Sequence, residues 1–76
     1  MVKVGHKFSF TDKAVMKRTG EVLSGITGIV IRVYTTGFEV KYLKPNEEIA
    51  STHHFTFDDV SYRGPCYDWF DWEEPN

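Results

Sequence analysis

The chain has one cysteine and three prolines, and no uninterrupted apolar run exceeds three residues, as at Ile29-Val30-Ile31. Each scarcity excludes something. Cys66 has no second cysteine to bridge to, so no internal disulfide staples the fold, and a reducing, cytoplasmic setting is expected. A membrane-crossing helix needs about 20 consecutive apolar residues, so none is expected. The opening Met-Val-Lys-Val-Gly lacks the apolar stretch of a secretory leader. Gly25 and Gly28 lead into a β-rich run with no Gly-Lys-Ser/Thr after them, which excludes a phosphate-cradling loop.

Chemistry-bearing clusters are scarce as well. His53 and His54 are neighbours in an alternating run, and adjacent strand residues point to opposite faces, so the two do not chelate one ion. Asp58-Asp59 and Glu47-Glu48 are adjacent pairs that read as turn and loop residues. A chain of 76 residues offers little cleft for a substrate. No enzyme activity, metal or cofactor is expected.

What is present is a globular composition: 41% hydrophobic, 26% charged, and twelve aromatic residues. The length is that of one domain near the lower limit for folding without staples. A net charge of −2 conceals a polarity along the chain. Residues 1–44 hold eight Lys and Arg against three Asp and Glu, whereas residues 45–76 hold one against eight. The halves either neutralise one another in the folded domain or present one charged face to a partner.

Periodicity places the elements. Phe8 and Phe10 alternate with Lys7 and Ser9, predicting a strand over residues 7–10. A helix of two turns is expected over residues 11–18. Thr11 is a good cap, Phe10 and Val15 have staple spacing, Lys17 and Arg18 suit the negative end of the dipole, and Gly20 is placed to close it. From Gly28 the chain reads as a hairpin, with alternating runs on either side of Thr35-Thr36-Gly37. Pro45-Asn46 ends the second strand. A fourth strand is expected at about residues 50–57, a tight turn at 58–60, and a last short strand at 60–62. Five short strands avoid unpaired edges best by closing, so a small β-barrel is expected over residues 1–64, with a separate segment at 65–76.

The run Gly25-Ile26-Thr27-Gly28-Ile29-Val30-Ile31-Arg32-Val33-Tyr34, followed by Gly37-Phe38-Glu39-Val40-Lys41-Tyr42, resembles the central hairpin of SH3-like barrels of the KOW and Tudor-like kind. Val4-Gly5-His6-Lys7-Phe8 looks like the first strand of such barrels, and Phe57-Asp58-Asp59-Val60 like the turn before their last. The resemblance implies a mainly β, five-stranded SH3-like barrel, here with a helix in the first loop and an aromatic-acidic C-terminal tail. Such barrels serve many functions, so the fold alone does not choose among them. Peptide-binding SH3 domains carry an acidic first loop and a Trp opening a strand. Here the first loop holds Lys13, Lys17 and Arg18, and both tryptophans lie near the C-terminus, so proline-rich ligands are not expected.

The most unusual segment is the tail, with Tyr67, Asp68, Trp69, Phe70, Asp71, Trp72, Glu73 and Glu74 in succession. Burying its four rings gains about 15–25 kcal/mol as an upper bound, and ordering twelve residues costs about 18 kcal/mol. Magnitude therefore leaves two readings open. Either the rings cover the barrel and the carboxylates meet the basic half, or the segment inserts into a partner. One tryptophan is expected to pack on the barrel and the other to stay accessible, with Asp71, Glu73 and Glu74 in solvent.

The leading functional expectation is a non-enzymatic protein-binding module that uses Tyr67 to Glu74 as its contact. Its size is compatible with an accessory or inhibitor protein of the kind a phage or mobile element directs at a host protein. The alternative is a KOW-like nucleic-acid binder using Lys13, Lys17, Arg18, Arg32, Lys41 and Lys44.

Overall fold

A computed structural model describes residues 2–16, 19–60, 62–63 and 66–73. The fold is mainly β. Its strands are β1 Lys7–Phe10, β2 Thr27–Val33, β3 Gly37–Tyr42, β4 Ser51–Thr56, β5 Tyr62–Arg63, β6 Cys66–Tyr67 and β7 Phe70–Glu73. They pair antiparallel in one sheet of order β4-β3-β2-β1-β7-β6-β5. Four strands thus run as a simple meander, and the last strand returns to lie beside the first. Five strands have at least four residues, while β5 and β6 have two each.

Closure into a five-stranded barrel is not seen. Among the described residues the ladder is open, with β4 and β5 at its edges. The sheet nonetheless bends. A register shift between Val30 and Arg32 marks a bulge in β2, which pairs with β1 near its start and with β3 along most of its length.

Alternation along the strands selects the core. Phe8, Phe10, Val30, Phe38, Val40, Tyr42, Phe55 and Phe70 are buried, with Val2, Ala14, Leu23 and Val60 closing the cluster. Phe70 is its centre. Its ring lies 5.0 Å from Phe8, 5.2 Å from Phe10, and 5.3 Å from both Phe38 and Phe55. Residues 66–73, set apart in the sequence as a tail, therefore supply two strands of the sheet and the middle of its core.

The first loop differs from the expected helix. Its described part, residues 11–16, is not helical; Lys17 and Arg18 lie outside the described residues. Val15 bridges Val22 antiparallel, Met16 N–H donates to Glu21 C=O at 2.9 Å, and Leu23 N–H donates to Ala14 C=O at 2.9 Å. The loop is a hairpin, and the cap signals serve its turns. Lys13 N–H donates to the Thr11 hydroxyl at 3.3 Å, and Gly20, at φ 68°, closes the tip. Tertiary burial decides the outcome. Ala14 and Leu23 are buried while Val15 and Val22 face solvent, which is a period of two. An isolated two-turn helix has too little local stability to resist that pairing.

The turn after β4 is as expected, with Asp59 N–H donating to Thr56 C=O and Oγ1, both at 3.1 Å. Among the described residues, no helix is long and apolar enough to cross a membrane.

Candidate functional site

The expected contact residues of the C-terminal segment separate by strand alternation. Phe70 is enclosed in the core. Trp69 and Trp72 are both half-buried, so the expected division into one packed and one accessible ring is not seen. The Trp69 ring lies 5.7 Å from Phe55, and Trp72 stacks on Phe70 at 5.2 Å and also meets His6 at 5.7 Å. Asp71 and Glu73 point outward, opposite Ser9 and Lys7 across the β1–β7 ladder. Asp68 is half-buried in the turn before β7, and its backbone carbonyl accepts the Thr11 hydroxyl proton. The Tyr67 side chain and Glu74 lie outside what is described.

The basic set is dispersed. Arg32 is on the outer face of β2 opposite Glu39, which in turn faces His54 on β4. Lys41 is on the outer face of β3 between Ile29 and Thr52. Lys13 is exposed in the first loop. Lys44 is held by Glu21, with Nζ 2.8 Å from Oε1 and 3.1 Å from Oε2. Among the described residues, a carboxylate thus stands by Arg32, Lys41 and Lys44, which weakens a phosphate-tracking surface there, while Lys17 and Arg18 lie outside them. The two histidines separate as strand geometry requires. The His54 ring lies tilted against Tyr34 at 5.2 Å, and His53 lies 4.5 Å from Phe55. Among the described residues, no group of three His, Cys, Asp or Glu side chains is placed to hold a metal.

Two shallow grooves mark the surface. One, of about 360 Å³, runs over the outer face of β1 and β2 past Lys7, Ser9, Thr27 and Ile29 to Glu73. The other, of about 430 Å³, lies between residues 24–27 at the base of the first loop and residues 43–47 after β3. The second groove has a built frame. The Lys44–Glu21 pair pins the two loops together, Ser24 Oγ–H donates to Asp12 Oδ1 at 2.7 Å, and Glu47 N–H closes a turn onto Lys44 C=O at 3.2 Å. Gly25 (φ 81°) and Asn46 (φ 66°), both in its lining, take left-handed backbone conformations.

Large aliphatic side chains stand exposed on the same two loops. Val22 is 62% exposed, Leu43 50% and Ile49 83%. No periodicity in the sequence marks this surface. Glu21 and Lys44 are 23 residues apart, and their pairing follows only from how the strands align. One signal was available: Ile49 is an isolated aliphatic after Pro45-Asn46-Glu47-Glu48, in a loop where burial has no periodicity to demand it.

The frame is expected to weaken in alkali. The hydrogen bond that Lys44 donates to Glu21, and the nearby Glu21 and Glu47 charges, hold Lys44 above its ordinary value of 10.5, and burial pushes the Tyr42 phenol above 10.0. A pKa raised on folding gives stability that is complete below the unfolded value and is lost as pH rises through the folded one. Urea midpoints are expected to hold steady from neutral pH to about 9 and to fall above about 10. A Tyr42→Phe, Lys44→Met double variant should flatten that fall. An unchanged slope in the variant would refute the assignment.

Comparison with family models, with curated proteins and with solved structures gives no match to this chain.

Proposed function

We propose that this chain is a non-enzymatic protein-binding module with an SH3-like fold, docking its partner through residues 21–26 and 43–49. The strand order supports the fold, since a four-strand meander with the last strand returning beside the first is what the SH3-like resemblance implies. The observation that carries the function is the set of aliphatic side chains, Val22, Leu43 and Ile49, displayed on two loops that an ion pair ties together. Exposed aliphatic groups gathered on neighbouring loops are the kind of surface against which another protein packs. Aliphatic groups offer nothing to phosphates, and the exposed cations Arg32 and Lys41 lie on either side of Glu39 rather than in a continuous stripe.

The test is a Val22→Asp, Ile49→Asp double variant. Both positions are exposed, so each change is expected to alter stability by no more than about 0.5 kcal/mol, leaving the thermal midpoint close to that of the wild type. Crosslinked partner recovered on the wild-type chain should be lost from the variant. Equal recovery from both would remove this surface as the contact. Binding of duplex DNA or single-stranded RNA at low salt, with steep loss as salt rises, would instead select the nucleic-acid reading.

A further inference from the structure

We propose that the outer edge of β4 pairs antiparallel with the same strand of a second copy of this chain, giving a two-fold dimer with one sheet running through both. The hydrogen-bond pattern locates the free groups. Phe57 N–H donates to Thr36 C=O at 2.9 Å, so Thr36 and Phe57 form a bonded position of the β3–β4 ladder. Bonded and non-bonded positions alternate in an antiparallel pair, so Val40–His53 is bonded while Lys41–Thr52 and Glu39–His54 are not. Tyr34 N–H donates to Gly37 C=O at 2.7 Å, which turns Gly37 towards β2 and agrees with that alternation. Thr52, His54 and Thr56 therefore aim their N–H and C=O groups off the edge of the sheet. Asp59 N–H takes the Thr56 carbonyl, whereas among the described residues nothing bonds the outward groups of Thr52 and His54.

This edge is also unguarded. Proteins blunt exposed edges with lysine, proline or a bulge. β4 has no charged residue, proline or glycine, and its register with β3 is unbroken over all 6 residues. β5, at the other edge, has only 2.

The fit of β4 to itself selects the occupant. With the two-fold axis at His53, Thr52 of each copy faces His54 of the other. Each such pair exchanges both bonds, so the outward donors and acceptors of both residues are satisfied. The same register sets opposite charges in line. On the outer face Lys41 lies behind Thr52 and Glu39 behind His54, so each row across the joint runs from Lys41 of one copy to Glu39 of the other. An axis at Thr52 would align Lys41 with Lys41. An axis at His54 would align Glu39 with Glu39 and set Thr52 against the occupied Thr56 carbonyl. Charge matching of this kind fixes register more than it adds affinity. Two short edges make a small interface, so the dimer is weak and its population follows concentration.

The experiment is sedimentation velocity with residue-resolved amide exchange on the full chain, over about two decades of concentration. The sedimentation coefficient is expected to rise with concentration. Exchange at Thr52 and His54 should slow by about tenfold where about nine in ten chains are paired, while the His53 amide, which faces β3, is protected throughout. His54→Lys places a charge at the joint and keeps every backbone group, and at this exposed position it should keep the wild-type thermal midpoint. Thr52→Pro removes an outward N–H and none that bonds β3. Both variants should sediment as monomers at every concentration. The Val22→Asp, Ile49→Asp variant should associate as the wild type does, so failure of this dimer and failure of the loop docking surface are read separately.

A wild-type sedimentation coefficient that does not change with concentration overturns the proposal. Association that survives in His54→Lys places the interface on another surface and overturns it too. Slow exchange at Thr52 and His54 at the lowest concentration would mean that the chain covers its own edge. Slowing only when another protein is added would make the occupant that protein's strand; either result overturns the second copy.

Discussion

Phe70→Ala is expected to leave the chain largely unfolded at room temperature. The side chain is wholly enclosed, and four phenylalanine rings from β1, β3 and β4 meet it within 5.3 Å. Truncating such a ring costs about 3–5 kcal/mol, because the surroundings relax only partly into the cavity. At about 0.05–0.15 kcal/mol per residue, a chain of 76 residues has only about 4–11 kcal/mol to lose. Three of the four contacts are close to edge-on, at 87°, 67° and 82°, a geometry that adds to area burial and that no aliphatic residue reproduces. Phe70→Leu should remain folded but with a lower urea midpoint, since it keeps most of the volume. Near-ultraviolet circular dichroism and urea titration read both variants. A cooperative transition for Phe70→Ala close to the wild-type midpoint would show that β7 is an appendage after all, and would restore the C-terminal segment as a free contact.

That variant also explains which parts of the fold were legible. Residues 7–10 and the hairpin from Gly28 to Tyr42 follow directly from alternation, because each strand's inward residues are named by its own sequence and its partner is the next element along. β4, expected at residues 50–57 and found at Ser51–Thr56, was legible for the same reason. Residues 66–73 were not, since the gain from burying their rings nearly equals the cost of ordering them. What breaks the tie is a place beside β1, opposite Phe8 and Phe10 and some 60 residues away in the chain. The first loop failed in the other direction. Its capping, staple and dipole signals are each worth a kilocalorie or less, and the burial of Ala14 and Leu23 on one side of a hairpin outweighs them. The groove between residues 24–27 and 43–47 depends on the Lys44–Glu21 pair, which no local pattern announces.

Gly37→Ala should be nearly as damaging as loss of the Phe70 ring, and for a reason unrelated to backbone freedom. Gly37 does not have a positive φ; the space beside it is missing. A Cβ there would run into the Phe55 carbonyl oxygen and would stand 2.8 Å from Thr56 Cα and 3.0 Å from the Phe55 carbonyl carbon. All three atoms are backbone of β4, so no side chain can rotate away. The strands must separate where Gly37 pairs with Thr56 and where Phe57 N–H donates to Thr36 C=O at 2.9 Å. Phe38 and Phe55, opposite each other in the next register position, would move with them and open the core. The cost is expected at or above the top of the roughly 1–3 kcal/mol range for overpacking. In a domain this small each kcal/mol lowers the melting temperature by about 4–8 °C. Gly28→Ala is the graded comparison. Its Cβ would meet Phe8 Cζ at 2.6 Å, which a ring can partly relieve, and Lys41 C=O at 2.7 Å, which backbone cannot. Gly20→Ala has open space around it and only a left-handed φ to oppose it, so it should cost about 1 kcal/mol. The expected order of melting temperatures is therefore Gly20→Ala highest, Gly28→Ala between, and Gly37→Ala lowest, with amide exchange in β4 fastest in the last. A Gly37→Ala variant as stable as Gly20→Ala would mean that β3 and β4 do not approach as closely at this position as the structure places them.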